Sequence, residues 1–141
     1  MGRILAIDYG QKRTGVAVTD ELQIIASSLG TIATKEIWKF LKAYSQKEKL
    51  DVIVVGEPRD LKNRPSDSSR FVEPFVMKLR KNFPNIKIER FDERFTSKIA
   101  HQTMIDGGLK KHKRQNKALV DSISATLILQ SYLESLNFLK K

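Results

Sequence analysis

Arg3-Ile4-Leu5-Ala6-Ile7-Asp8, then Tyr9-Gly10-Gln11-Lys12-Arg13-Thr14-Gly15, then Val16-Ala17-Val18-Thr19: the reading of these residues decides the fold. The first run is apolar throughout and closed by a carboxylate. Continuous rather than alternating hydrophobicity predicts a strand covered on both faces, hence central in its sheet. The polar segment 9–15 reads as a turn, and Val16-Ala17-Val18-Thr19 as a second strand folding back on the first. The chain therefore opens with a β-hairpin.

Outward from the hairpin, residues 28–33 read as a third, weaker strand. From Lys35 the period becomes helical, with Ile37, Phe40, Leu41 and Tyr44 at three- and four-residue spacing. Residues 51–56 form another wholly apolar strand, and the polar, proline-containing stretch 57–69 reads as an exposed loop. A second amphipathic helix carries Phe71, Phe75, Val76 and Leu79 and ends at Phe83-Pro84-Asn85. Residues 86–91 alternate with period two, as a strand with one solvated face does. A helix with Ile99, Thr103 and Met104 is expected next, capped by Gly107-Gly108. The last helix is expected over 118–136, apolar along Leu119, Ile123, Leu127, Ile128 and Leu133. A hairpin followed by alternating helix and strand predicts a single α/β domain over residues 1–141. It has three layers: a five-stranded mixed sheet, antiparallel at one edge, with helices on both faces.

Composition narrows the chemistry. The chain has 141 residues, a formal charge of +10, two histidines and no cysteine. One domain of this length buries a real core. Without cysteine there is neither a disulfide framework nor a thiolate metal site, and His101 and His112 are too few for a histidine-rich zinc centre. Any metal must be held by oxygen. No apolar run approaches the ~20 residues that span a bilayer, and the short apolar stretch at the N-terminus is closed by Asp8, so a soluble cytoplasmic protein that does not engage a membrane is expected. The positive surplus favours a polyanionic partner, nucleic acid first.

Acidic residues recur at the ends of the apolar elements. Asp8 closes the first strand, Glu57 follows Val54-Val55-Gly56, Asp92-Glu93-Arg94 follows the strand 86–91, and Asp121 enters the last helix beside Ser124 and Ala125. The plainer readings are a turn cap for Asp8, a helix-dipole partner for Asp121 and solvated loop charges for the rest. Against them, the ends of parallel strands in an α/β sheet share one rim, where ligands bind. Carboxylates gathered there without His or Cys suit a hard ion, Mg²⁺ or Mn²⁺. Two such ions about 3.5–4 Å apart activate water and stabilise the leaving oxygen of a phosphodiester.

Five of the eight residues in Lys110-Lys111-His112-Lys113-Arg114-Gln115-Asn116-Lys117 are Lys or Arg, leading into the helix that bears Asp121. With Lys12, Arg13 and Arg94 they form the expected phosphate-binding surface. No aromatic platform for bases stands out, and Phe91 and Phe95 read as core. Two competing functions are a phosphate-binding enzyme of the sugar-kinase type, which begins with a similar Asp-x-Gly hairpin, and a non-catalytic RNA- or ribosome-binding module. The first places nucleotide between two copies of the fold, and 141 residues supply one.

Four blocks together resemble the YqgF (RuvX-like) family: Ile7-Asp8-Tyr9-Gly10-Gln11-Lys12-Arg13-Thr14-Gly15-Val16-Ala17, Val54-Val55-Gly56-Glu57-Pro58, Asp92-Glu93-Arg94-Phe95-Thr96-Ser97 and Asp121-Ser122-Ile123-Ser124-Ala125. They occur in the family's order and span nearly the whole chain. The resemblance implies an RNase H-like fold related to Holliday-junction resolvases. It also implies a divalent-metal nuclease that matures the end of the small-subunit ribosomal RNA precursor, with branched DNA the alternative substrate. Ribosomal particles are further expected partners, and the chain a monomer or weak dimer. By the same resemblance Asp8, Glu93 and Asp121 are the metal ligands. Glu57 stands where the family often has leucine, although resolvase-type relatives place a catalytic glutamate after the corresponding strand. Glu93 and Glu57 thus compete to complete the cluster, with Glu93 ranked first because the Asp-Glu-Arg block is the family's own hallmark.

Overall fold

A computed structural model describes residues 2–57, 69–92 and 117–140, without the side chains of 69–70, 117–122 and 137–140. Five strands form one sheet: β1 (Arg3–Asp8), β2 (Arg13–Thr19), β3 (Ala26–Ala33), β4 (Leu50–Glu57) and β5 (Lys87–Asp92). Their order across the sheet is β3-β2-β1-β4-β5, so the apolar first strand is central, as its composition requires. β1, β4 and β5 are parallel, whereas β2 and β3 run antiparallel at one side. The mixed five-stranded sheet of the sequence reading is therefore the one observed.

Helices cover both faces. α1 (Ile37–Lys47), entered through a 3₁₀ turn at Thr34–Glu36, and α2 (Ser69–Asn82) lie on one side. Leu5 and Ile7 of β1, Val16 and Val18 of β2, and Ile53 and Val55 of β4 pack there against Ile37, Leu41, Val72, Phe75, Val76 and Leu79. α3 (Lys117–Lys140) lies on the other side. Ile4, Ala6, Ala17 and Val54 meet Ala125, Ile128, Leu129, Tyr132 and Leu133 on that face. Alternation along each strand sorts successive side chains between the two layers. Because both layers are packed, β1 reads as continuously apolar.

Ala6, Ala17 and Ala125 are all fully buried at the α3 interface. Three methyl groups facing one another let the helix backbone approach the sheet closely. α3 is buried almost all round its middle, including Thr126 and Ser131, so burial extends past the broad apolar stripe expected. A helix that packs across four strands, β1 to β4, needs more than one apolar edge.

Several boundaries differ from those expected. β2 begins at Arg13, not Val16, because Gly15 pairs with Asp8 and Thr14 with Ile32 on β3, extending the ladder into the supposed turn. Glu57 is the last residue of β4 rather than the first of a loop, since Asp92 of β5 is there to pair with it. Lys117 belongs to α3 instead of the basic loop. β5 has no fully solvated face: Ile88 packs towards α2, and Phe91 packs on the α3 side. The expected loop 58–68, the expected helix with Ile99, Thr103 and Met104, and most of the basic tract lie outside the described residues.

Tyr132 ties α3 to β5 through a hydrogen bond to Glu89. Burial, helped by the Glu89 charge and that bond, pushes the phenol up to about 12 from its usual 10. A raised phenol pKa means that the folded state favours the neutral form. Its contribution is whole below pH 10 and is lost as pH rises towards about 12. In denaturant unfolding across that window, Tyr132→Phe is expected to show a shallower loss of stability with pH than the parent. Parallel curves would remove Tyr132 as the cause.

Candidate active site

Since β1, β4 and β5 are parallel, their C-terminal residues Asp8, Glu57 and Asp92 share one rim of the sheet. Register sets how they face. Ile4 and Ala6 pack against α3, so the period of two puts Asp8, half-buried at the end of β1, on the α3 face. Asp121 lies in α3 one turn before Ala125, and residues four apart share a helix face. Asp8 and the stretch of α3 backbone that bears Asp121 thus belong to the same layer of the fold. The side chain of Asp121 is outside the described residues, as is Glu93, which follows Asp92 directly.

Glu57 faces the other way. Ile53 and Val55 belong to the α1/α2 core, and alternation sends Glu57 to that side. There Arg90 Nη2 lies 3.2 Å from its Oε1. Arg90 also donates through Nη1 to Glu73 of α2. The Glu57 and Arg90 side chains are only 17% and 22% exposed, so solvent screens the pair weakly. Arg90 Nε is buried without a hydrogen-bond partner among the described residues. Breaking such a pair strands a charge, which makes Glu57 a committed partner of Arg90.

The turn after Asp8 is tightly held. Thr34 donates its hydroxyl to the Gly10 carbonyl at 2.6 Å. Its one proton spent, the Thr34 oxygen accepts from the Thr14 hydroxyl at 2.9 Å. The Thr34 amide bonds the Lys12 carbonyl at 3.0 Å. A Cβ at Gly10 would lie 2.3 Å from the Arg13 carbonyl oxygen, so only glycine fits without moving the turn. Lys12, on the braced loop after β1, and Arg13, at the start of β2, are consequently presented exposed. Arg94, Lys110, Lys111, Lys113 and Arg114 lie outside the described residues, and Lys117 opens α3.

Among the described residues no three His, Asp or Glu side chains gather as a metal cluster. Asp8 is the only one of the three expected ligands whose side chain is described. Its chemistry is that of a hard-cation donor, and the other two expected ligands, Glu93 and Asp121, are oxygen donors as well.

The family model of RuvX, described as Holliday junction resolvase, matches residues 2–135. The chain belongs to the RuvX family. Among other RuvX-like proteins, one from Flavobacterium psychrophilum is 62% identical over 133 residues, covering 94% of this chain and 97% of that one. One from Phocaeicola vulgatus is 59% identical over 139 residues, covering 99% and 100%. Both carry the name "Putative pre-16S rRNA nuclease". Of solved structures, Thermus thermophilus RuvC in complex with a Holliday junction substrate superposes with a TM-score of 0.59 at 15% identity, covering 96% of each chain. A second T. thermophilus RuvC structure gives 0.54 at 13%, covering 94% and 96%. At that identity the likeness concerns architecture, and the RuvX chain has the RNase H-like fold. Among its described residues no helix is long and apolar enough to cross a membrane.

In sequence Asp8 and Glu57 both read as strand ends, and nothing local tells their faces apart. Arg90 and Glu73 do not stand out there, because their roles depend on which strand neighbours which. A charged residue inside the alternating strand 86–91 was the available signal.

Proposed function

We propose that this chain is a metal-dependent nuclease that cleaves a phosphodiester in the precursor of small-subunit ribosomal RNA, in the cytoplasm. The observation that carries the reading is the face of Asp8: it ends the central strand in the layer covered by α3, the helix that bears Asp121. Its relatives' name points to pre-16S rRNA, and the basic surplus of the chain suits a structured polyanion.

Asp8, Asp121 and Glu93 would hold a divalent ion, Mg²⁺ or Mn²⁺, their oxygen donors matching a hard cation. When bound, such an ion supplies water activation and charge stabilisation at the phosphodiester. The remaining work falls to the chain. Asp8, held by the central strand and the braced turn, orients the site. Lys12 and Arg13 engage flanking phosphates from the exposed turn, and Lys110, Lys111, Lys113, Arg114 and Lys117 extend the cationic track. Arg94 offsets negative charge developing at the reacting phosphate. Glu93 is assigned to the cluster ahead of Glu57, because Arg90 already engages Glu57 on the opposite face.

The test is a Mg²⁺-dependent cleavage assay on precursor rRNA and on a four-way DNA junction, with Glu93→Gln and Glu57→Gln alongside. Cleavage of the rRNA end is expected, lost in Glu93→Gln and retained within about tenfold in Glu57→Gln. The converse ranking of the two variants would move the ligand role to Glu57. Cleavage of the junction alone would favour the resolvase reading suggested by the family's description. Salt-sensitive RNA binding without any cleavage would favour the non-catalytic module.

A further inference from the structure

On the face of the sheet away from α3, a groove of about 300 Å³ opens between the turn after β1, α1 and α2. Tyr9, Trp38, Phe71, Pro74, Phe75 and Lys78 line it. Phe71, Pro74 with Phe75, and Lys78 come from successive turns of α2, so one helix face supplies most of a wall. The aromatics are ordered against one another. Tyr9 stacks on Phe75 with centroids 4.3 Å apart at 24°, and Trp38 meets the same ring at 5.3 Å and 53°. Phe75, only 4% exposed, anchors the set in the core, whereas Phe71 is 41% exposed at the mouth. The Lys78 ammonium sits 4.6 Å over the Trp38 ring.

We propose that this groove receives an unstacked base of a single-stranded segment, close along the strand to the phosphate that reacts at the rim bearing Asp8. The inference rests on the reading that the substrate is nucleic acid, and adds that the protein engages bases as well as phosphates. Three features select this occupant. The walls are flat aromatic and prolyl surfaces, which stack on any base because every base has a π-face. The rim carries a cation, Lys78, so a phosphate drawn to it brings its base into the groove beside Trp38 and the exposed Phe71 ring. And the groove begins at Tyr9, the residue that follows Asp8 at the end of the central strand, so a strand crossing that rim passes from Asp8 to the groove. A purely apolar partner would leave the Lys78 charge facing it without an anion.

Trp38 is the chain's only tryptophan, so its fluorescence reports the groove alone. The full chain is titrated with a short oligouridylate in EDTA, where no metal-dependent cleavage occurs, and then with an abasic oligomer of equal length. The oligouridylate is expected to quench Trp38, and the abasic oligomer to bind about 5- to 150-fold more weakly with little quenching, the equivalent of about 1–3 kcal/mol for one stacked base. Phe71→Ala, checked for an unchanged melting transition, is expected to weaken oligouridylate binding by a similar factor and to leave the abasic oligomer unaffected. Equal quenching by both oligomers overturns the proposal, as does a Phe71→Ala variant that binds oligouridylate like the parent. These outcomes are independent of cleavage: the nuclease reading fails when Mg²⁺ produces no product, and the groove fails when bases make no difference in EDTA.

Discussion

Asp8→Asn is expected to lose cleavage by roughly a thousandfold or more in Mg²⁺ while unfolding at nearly the temperature of the parent. The substitution keeps the size of the side chain and removes one negative charge from the end of the central strand. Charge stabilisation through a bound ion contributes several kcal/mol to a phosphodiester transition state, and each 1.36 kcal/mol is tenfold in rate. Fold stability rests elsewhere, on the fully buried side chains Ile4, Leu5, Ala6 and Ile7 of the same strand. Single-turnover cleavage and thermal unfolding of the two proteins, measured side by side, separate the effects. Unaltered cleavage would contradict the proposed mechanism; a collapsed melting temperature would show that Asp8 is mainly a structural cap.

The second large effect is expected at Ala125, which touches no substrate. It is fully buried where α3 meets Ala6 and Ala17. Ala125→Leu inserts three carbons into a seam of methyl groups, and overpacking of that kind costs typically about 1–3 kcal/mol. The helix can relieve the clash only by lifting from the sheet, and Asp121 rides on that helix one turn away. Cleavage is therefore expected to fall by at least about tenfold beyond what loss of folded protein explains, because misplacement by about 1 Å costs on the order of 10²-fold. Ala125→Gly, which removes volume, is the control: it is expected to weaken the helix by about 1 kcal/mol and to keep most of the activity. Urea unfolding gives the folded fraction, and cleavage is normalised to it. An active Ala125→Leu protein would mean that close helix approach is not what positions Asp121.

Both predictions draw on the same division between what a local pattern can encode and what only assembly supplies. The apolar run ending at Asp8 specified a central strand, because continuous hydrophobicity pays only where both faces are covered. The spacing of Ile37, Leu41, Phe75 and Leu79 specified helices for the analogous reason: period 3.6 lines up one buried face. The four sequence blocks were enough to suggest the RuvX-like family, and the family model's match over residues 2–135 agrees. Boundaries were less accurate. Arg13 and Glu57 are polar, and they became strand residues only because Ala33 and Asp92 stand opposite them.

Tertiary structure alone decided which carboxylates can work together. Asp8 and Glu57 look alike in sequence, each following an apolar strand. One residue of register sends them to opposite faces, Asp8 towards the helix with Asp121 and Glu57 towards Arg90 and Glu73. The groove of Tyr9, Trp38, Phe71 and Phe75 was equally hidden, being drawn from three separate parts of the chain. Local periodicity records whether a residue is buried, since burial acts on each side chain by itself. It carries no record of which distant residue lies opposite, because that follows from strand order and register, which exist only once the sheet has formed.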